Sequence, residues 1–159
     1  MKQLSVPRVP LPSTVEEVMT RDVICLRETA SLRSAAATLR RNRISGAPVT
    51  DADGRLKGVL SERDIVEAAL AGLMTEDPRK WLDMLLGNSP VDLEGAFRVL
   101  RGRLAALKVE EVMTSEVLTV APETLQTHAA ERMDSRGIHR LPVLREGRLI
   151  GMVTRSALR

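Results

Sequence analysis

Apolar residues first set a helical rhythm at Leu32, Ala35, Ala36 and Leu39, which fall at i, i+3, i+4 and i+7 along one stripe. A short apolar run, "DVICL" at Asp22 to Leu26, precedes them and predicts a strand. Two further runs, "APVT" and "LKGVLS", follow and predict two more. Asp53-Gly54 between them is a hairpin signal. The stretch "ERDIVEAALAG" then returns to helical spacing and closes at Gly72. The predicted order is β-α-β-β-α. Small alanines on the first stripe let that helix lie close against a sheet.

The same order recurs downstream. "EVLTV" at Glu116 to Val120 predicts the strand, and Ala129, Ala130 and Met133 continue the stripe, with Gln126 where the first copy has Leu32. "LPVL" and "LIGMVT" predict the paired strands around Glu146-Gly147. Pro48 and Pro142 suit the first residue of a strand, where a missing N–H does little harm. The hexapeptide "VEEVMT" stands at Val15 to Thr20 and again at Val109 to Thr114, 94 positions apart. Such self-similarity marks a tandem repeat. Val23 then matches Val117, Ile44 matches Ile138, and Pro48-Val49 matches Pro142-Val143. After one residue is lost in a turn, Gly58 matches Gly151 and Ser61 matches Thr154. The second copy stops at Arg159, with its closing helix almost entirely missing. The expected organisation is a first repeat over 13–72, an insert over 73–107 and a second repeat over 108–159. The fold class is α/β (α+β), with the two repeats packed in pseudo-two-fold symmetry.

The insert reads as helical. Trp81, Leu82, Leu85 and Leu86 form a stripe ended by Gly87. A second helix is expected from Ser89 as N-cap with Pro90 at its first position. Leu93, Phe97, Leu100, Leu104 and Leu107 would line its face. These stripes are read as packing surface, covering the sheet or forming a subunit contact.

Composition narrows the function. Trp81 and Phe97 are the only aromatic residues, so the core is aliphatic, and stacking platforms for single-stranded nucleic acid are missing. The net charge is +3 with no dense basic run, which argues against a nucleic-acid partner on charge as well. Cys25, the one cysteine, is expected to be a buried small hydrophobe. No apolar stretch approaches the ~20 residues that cross a membrane, and no signal peptide opens the chain, so a cytoplasmic location is expected. Only His128 and His139 are available as histidines, with no Cys/His metal spacing, no G-x-S-x-G and no phosphate-binding glycine loop. The expectation is a protein that is not an enzyme and carries neither metal nor cofactor.

Two β-α-β-β-α units, each with a "VMT" opener, a "PV" strand and a Gly-hydrophobic-x-Ser/Thr strand end, resemble the paired cystathionine-β-synthase (CBS) domains of the Bateman module. The resemblance covers Val15 to about Gly72 and Val109 to Arg159. It implies clefts between repeats that bind adenine nucleotides as regulatory ligands, and it implies stand-alone pairs that are commonly dimers. "GVLSERD" at Gly58 to Asp64 matches the family's nucleotide pattern. Val59 and Leu60 would offer backbone groups to the adenine, Ser61 a hydroxyl to ribose or phosphate, and Asp64 a carboxylate to both ribose hydroxyls. The plain alternative is that Ser61 caps a helix and Asp64 favours its positive end.

The family pattern takes phosphate contacts from the other repeat, here His139 and Arg140 of "GIHRLPV", with Leu118 in the same cleft. An arginine matches phosphate oxygens with a fork of donors, and a histidine adds one more. The pseudo-symmetric second cleft would hold Ile24, Ser45, Gly46, Thr154 and Arg155. It has Ala157 in the carboxylate's place and no charge at Ser45 and Gly46, so it is expected to be weak or empty. The functional expectation is a regulatory module that binds AMP or a related nucleotide (ADP, ATP or an NAD-like ligand) and signals to an effector protein. A homodimer is expected, through the insert or the VMT segments. The alternative is a structural adaptor with empty clefts.

Overall fold

The computed structural model describes residues 13–71, 77–88, 90 and 92–158, and of Trp81 and Met84 the backbone alone. The described chain forms two compact units. One spans Ile24–Val117, and the other joins residues 13–23 to 118–158. The units cut across the linear repeats, because each VEEVMT segment packs with the other copy.

In the first unit, β1 (Leu26–Arg27) runs parallel to β2 (Gly46–Thr50), which pairs antiparallel with β3 (Leu56–Ser61). The connection from β1 to β2 is α1 (Leu32–Asn42), and α2 (Glu62–Ala71) leaves β3 directly. Ser31 caps α1 by accepting from the Ser34 amide at 3.2 Å. The predicted stripe is the buried one: Leu32, Ala35 and Leu39 are in the core with Val49, Leu60, Ile65 and Val109. In the β2–β3 turn, the Asp51 carboxylate accepts from the Asp53 and Arg55 amides, both at 2.9 Å. Those two bonds, the Arg55 bond first, hold its pKa below the usual aspartate range.

The second unit repeats the scheme in reduced form. The helix α5 (Gln126–Arg136) leads to the antiparallel pair β4 (Arg140–Arg145) and β5 (Arg148–Thr154). Val120 alone makes the parallel bridge, to Val143, that Leu26 makes to Val49 in the first unit. The expected strands at 22–26 and 116–120 therefore shrink to two residues and to one bridge. Glu146-Gly147, both with positive φ, close the β4–β5 hairpin. Gln126 replaces Leu32 without an orphaned amide, because its Nε2 donates to the Thr14 carbonyl at 3.1 Å. After β5 a 3-10 turn at Arg155–Ala157 leads to Leu158, which is buried in the core.

The two openers are 3-10 turns, Val15–Glu17 and Val109–Glu111, followed by a two-bond bridge. Thr20 and Met152 exchange backbone bonds at 2.8 and 2.9 Å, and Val59 and Thr114 do the same at 2.9 Å each way. This explains the glycine of each Gly-hydrophobic-x-Ser/Thr strand. A Cβ on Gly58 would stand 2.6 Å from the Thr114 oxygen and 2.8 Å from the Met113 sulfur. On Gly151 it would stand 2.6 Å from the Met19 sulfur. The same glycine in both copies leaves room for the same "MT".

Several expectations change. Pro48 and Pro142 lie inside β2 and β4 rather than at their first residues; β1 engages β2 only at Val49 and Thr50, so Pro48 has no ladder bond to donate toward β1. Cys25 is exposed, not buried, although partial desolvation raises its thiol above the ordinary range against the opposing charge of Arg27. In the insert, α3 (Pro78–Leu85) ends near Gly87 as expected, with Gly87 at φ +73°. The next helix, α4 (Leu93–Ala106), starts later than expected. Asp92 is its N-cap, accepting from the Gly95 amide at 2.8 Å, and Pro90 is outside it; Ser89 lies outside the described residues. Leu104 and Leu107 pack on the first unit's core, but Leu93 and Phe97 stay 61% and 53% exposed. The expected burial of Trp81 also lies outside the described residues.

Candidate functional site

The C-terminal end of β3 feeds straight into α2, and the side chains at that junction are bound to each other. Asp64 Oδ2 accepts from the Ser61 amide at 2.8 Å and from the Ser61 hydroxyl at 2.7 Å. The Asp64 amide donates back to Ser61 Oγ at 3.3 Å. This reciprocal arrangement satisfies orphan donors at the start of α2 and sets a carboxylate at its positive end. Both side chains are half-buried. The cap geometry of the plain alternative is therefore present. It does not consume the carboxylate, because both bonds fall on Oδ2 and, among the described residues, none reaches Oδ1.

Val59 and Leu60 precede this junction. Leu60 is buried in the core, while Val59 spends its amide and carbonyl on Thr114. A backbone contact from Val59 to an adenine would therefore have to use a carbonyl or amide already bonded, which weakens that expectation. Ser45 and Gly46 lie beside the same strand end: Gly46 pairs with Ser61, and the Glu62 amide donates to the Ser45 carbonyl at 2.9 Å. Ile24 is exposed in the same unit.

The other unit carries the corresponding positions with different chemistry. Arg140 opens β4 opposite Thr154, and the Arg155 amide donates to the His139 carbonyl at 2.8 Å. His139 and Arg140 are both exposed, and among the described residues no side-chain bond engages the Arg140 guanidinium. Arg155, by contrast, is committed to Asp134 through bonds of 2.9 and 3.2 Å. Hydrogen bonding from Arg155 first, with its charge and that of His139 adding, holds the Asp134 carboxyl below the usual aspartate range. Among the described residues the Thr154 hydroxyl meets the Ser156 hydroxyl alone, at 3.2 Å, and with Ala157 in the carboxylate's place no reciprocal cap forms. Leu118 packs against this unit's core.

The structure thus brings Ser61 and Asp64 together with Ser45 and Gly46, and His139 and Arg140 together with Thr154 and Arg155. Two side-chain pairings organise these positions, the reciprocal cap of Ser61 with Asp64, which the sequence offered as the plain alternative, and the pairing of Arg155 with Asp134, which it did not. The first signal was present as a Ser-x-x-Asp spacing; the second, 21 residues apart, had none.

The model of the CBS domain matches the chain in two segments, residues 15–71 and 109–159. The chain belongs to the CBS-domain family. Those segments are the two repeats, so the protein carries a tandem CBS pair. An uncharacterised protein of Methanocaldococcus jannaschii is 33% identical over 150 residues, covering 91% of this chain and 88% of its own. The CBS domain of a CBS-domain-containing membrane protein from Sphaerobacter thermophilus superposes with a TM-score of 0.68 at 27% identity, over 92% of this chain and 85% of that one. A CBS-pair protein named CBSX2, crystallised in complex with AMP, superposes with a TM-score of 0.63 at 25% identity, over 91% of both chains. Residues 72–108 of this CBS pair, which hold α3 and α4, lie between the matched segments. No described helix is long and apolar enough to cross a membrane.

Proposed function

We propose that this CBS pair is a regulatory module that binds an adenine nucleotide, AMP foremost, and passes its occupancy to an effector protein. The observation that carries the reading is the Asp64 carboxylate at the β3–α2 junction, half-buried, oriented by Ser61 and retaining one oxygen for a ribose. The AMP complex of a 25% identical CBS pair supports the ligand class. In this reading Asp64 and Ser61 hold the ribose, and Leu118, His139 and Arg140 complete the site. Arg140 is suited to phosphate, being exposed and without an ion pair among the described residues. A ligand that touches both repeats favours the arrangement in which both can reach it, which is how occupancy becomes a signal.

The second position, with Ile24, Ser45, Gly46, Thr154 and Arg155, is weak in this proposal, since Arg155 is already paired with Asp134 and Ala157 offers no carboxylate. The adaptor reading is favoured by one observation, the closed hydrogen bonds of Ser61 and Asp64, which serve α2 without any ligand. We also propose a cytoplasmic homodimer, with the apolar α2 residues Val66 and Leu70, 55% and 47% exposed, as its contact in place of the insert or the VMT segments expected from the sequence.

A thermal-shift panel of AMP, ADP, ATP and NAD separates the two functional readings. A micromolar ligand present at ~100 times its dissociation constant adds about 2.7 kcal/mol of stability. For a chain of this size that is roughly 5–10 °C of melting shift. No shift with any adenine ligand leaves the adaptor.

A further inference from the structure

Two charged side chains serve opposite ends of α2. Asp64 lies in its first turn, bonded to Ser61. At the other end α2 stops at Ala71, so the Ala68 carbonyl is among the last four, which find no amide within the helix. The Arg103 guanidinium meets that need: Nη2 and Nε donate to the Ala68 oxygen at 3.2 and 3.4 Å. A carboxylate at the positive end and a cation at the negative end both favour the helix dipole. Asp64 and Ala68 are about 6 Å apart along the helix axis, one turn.

Arg103 belongs to the insert, outside the CBS-matched segments. It sits in the last turn of α4, where a basic residue ordinarily serves its own helix. Its side chain instead reaches a carbonyl 35 positions back along the chain, and it is half-buried there. The helix that carries it is held in place. Leu104 and Leu107 pack on the first unit's core, and the Leu32 amide at the start of α1 donates to the Leu107 carbonyl at 2.9 Å. From this anchored position Arg103 holds the far end of α2.

Resting on the nucleotide reading of Asp64, we propose that Arg103 is a positioning residue for that site. By holding α2 along its axis, Arg103 sets where Asp64 presents to a ribose the oxygen that no described residue engages. The coupling is reciprocal. A ribose bound to Asp64 steadies α2 and with it the Arg103 contact, which makes the insert the element that registers occupancy.

The test sets two ligands against wild type, Arg103→Met and Arg103→Lys in the full chain. The ligands are AMP and 2′,3′-dideoxyadenosine monophosphate, which lacks the ribose hydroxyls. Methionine keeps an unbranched apolar stem but no donor, whereas lysine returns a charged donor. By calorimetry, Arg103→Met should weaken AMP roughly fivefold or more and leave the dideoxy ligand unchanged. Arg103→Lys should recover most of that loss. A purely structural role would weaken both ligands alike, and that result overturns the proposal. If the wild type prefers AMP and Arg103→Met keeps the whole preference, the positioning role alone falls. If the wild type binds neither ligand, or both equally, the ribose reading of Asp64 falls and takes the positioning role with it. Amide hydrogen exchange on the wild type decides the matter should Arg103→Met not fold. Saturating AMP should slow exchange in α2 and α4 together, and protection of α2 without α4 overturns the coupling.

Discussion

Asp64 has one oxygen turned to Ser61 and one that no described residue engages, so a substitution there has two separable consequences. Asp64→Ala removes the carboxylate half of the reciprocal cap, leaving Ser61 Oγ for the amide of residue 64, and should cost about 0.5–2 kcal/mol of stability. Asp64→Asn keeps an acceptor for the Ser61 amide and should melt closer to wild type, while losing the charge that strengthens a ribose bond. Ala157→Asp alone should not create a second strong site, since Ser45 and Gly46 still offer no charge. Arg43 presents a different case. It ends α1 in the left-handed region at φ 54°, where the second repeat has Gly137 at φ 62°. Arg43→Gly relieves that conformation and should raise stability by up to ~1 kcal/mol, read as a higher urea midpoint. Gly58 and Gly151 predict an asymmetry as well. Alanine at 58 meets the Thr114 backbone oxygen, whereas alanine at 151 meets first the movable end of Met19. Gly58→Ala should therefore destabilise more than Gly151→Ala in parallel melts.

Among the elements, α1, α2, β3 and the two hairpins were legible because an apolar stripe or a turn dipeptide fixes each one locally. The strands at 22–26 and 116–120 were not, because apolar alternation says nothing of how many partners a strand finds. Leu26 and Arg27 join the ladder of β2, and Val120 makes a single bridge. The start of α4 was misplaced because Ser89-Pro90 and Asp92 both carry N-terminal signals, and Asp92 is the one whose carboxylate reaches an amide two residues beyond the first helical residue. Leu93, Phe97, Leu100, Leu104 and Leu107 share a spacing, which marks a packing surface, on the sheet or on another subunit, without saying how much of it is buried. Spacing cannot tell which half of a stripe is covered. Two variants separate the halves of that stripe: Leu104→Ala, packed on the core, should cost about 2 kcal/mol, at the low end for a leucine-sized deletion. Phe97→Ala should cost under ~1 kcal/mol, as for an exposed position. Equal losses in a melting comparison would contradict this division.

For the whole molecule, the repeat told which segments are alike but not which copy each opener joins. Val15–Thr20 and Val109–Thr114 have the same six residues, and Gly58 and Gly151 offer them the same gap. Either assignment satisfies the local chemistry, so exchange between copies cannot be read from either segment alone. The site divides in the same way. Ser61 with Asp64 was legible from a four-residue spacing, whereas the partners of His139 and Arg140 depend on contacts far apart in sequence. Assembly is tested at this scale. The homodimer proposed above predicts twice the monomer mass by light scattering at tens of micromolar, reduced to the monomer by Leu70→Glu. The central claim, that the CBS pair binds an adenine nucleotide through Asp64, is tested most directly by calorimetry with AMP on the wild type, Asp64→Asn and Arg140→Ala. The account predicts micromolar binding, about −8 kcal/mol, to the wild type. Loss of charged hydrogen bonds worth ~1.5–3 kcal/mol should weaken Asp64→Asn roughly 10–100-fold, and Arg140→Ala should lose more for ATP than for adenosine. AMP binding to folded Asp64→Asn as tightly as to wild type, or no binding of AMP to the wild type, would contradict it.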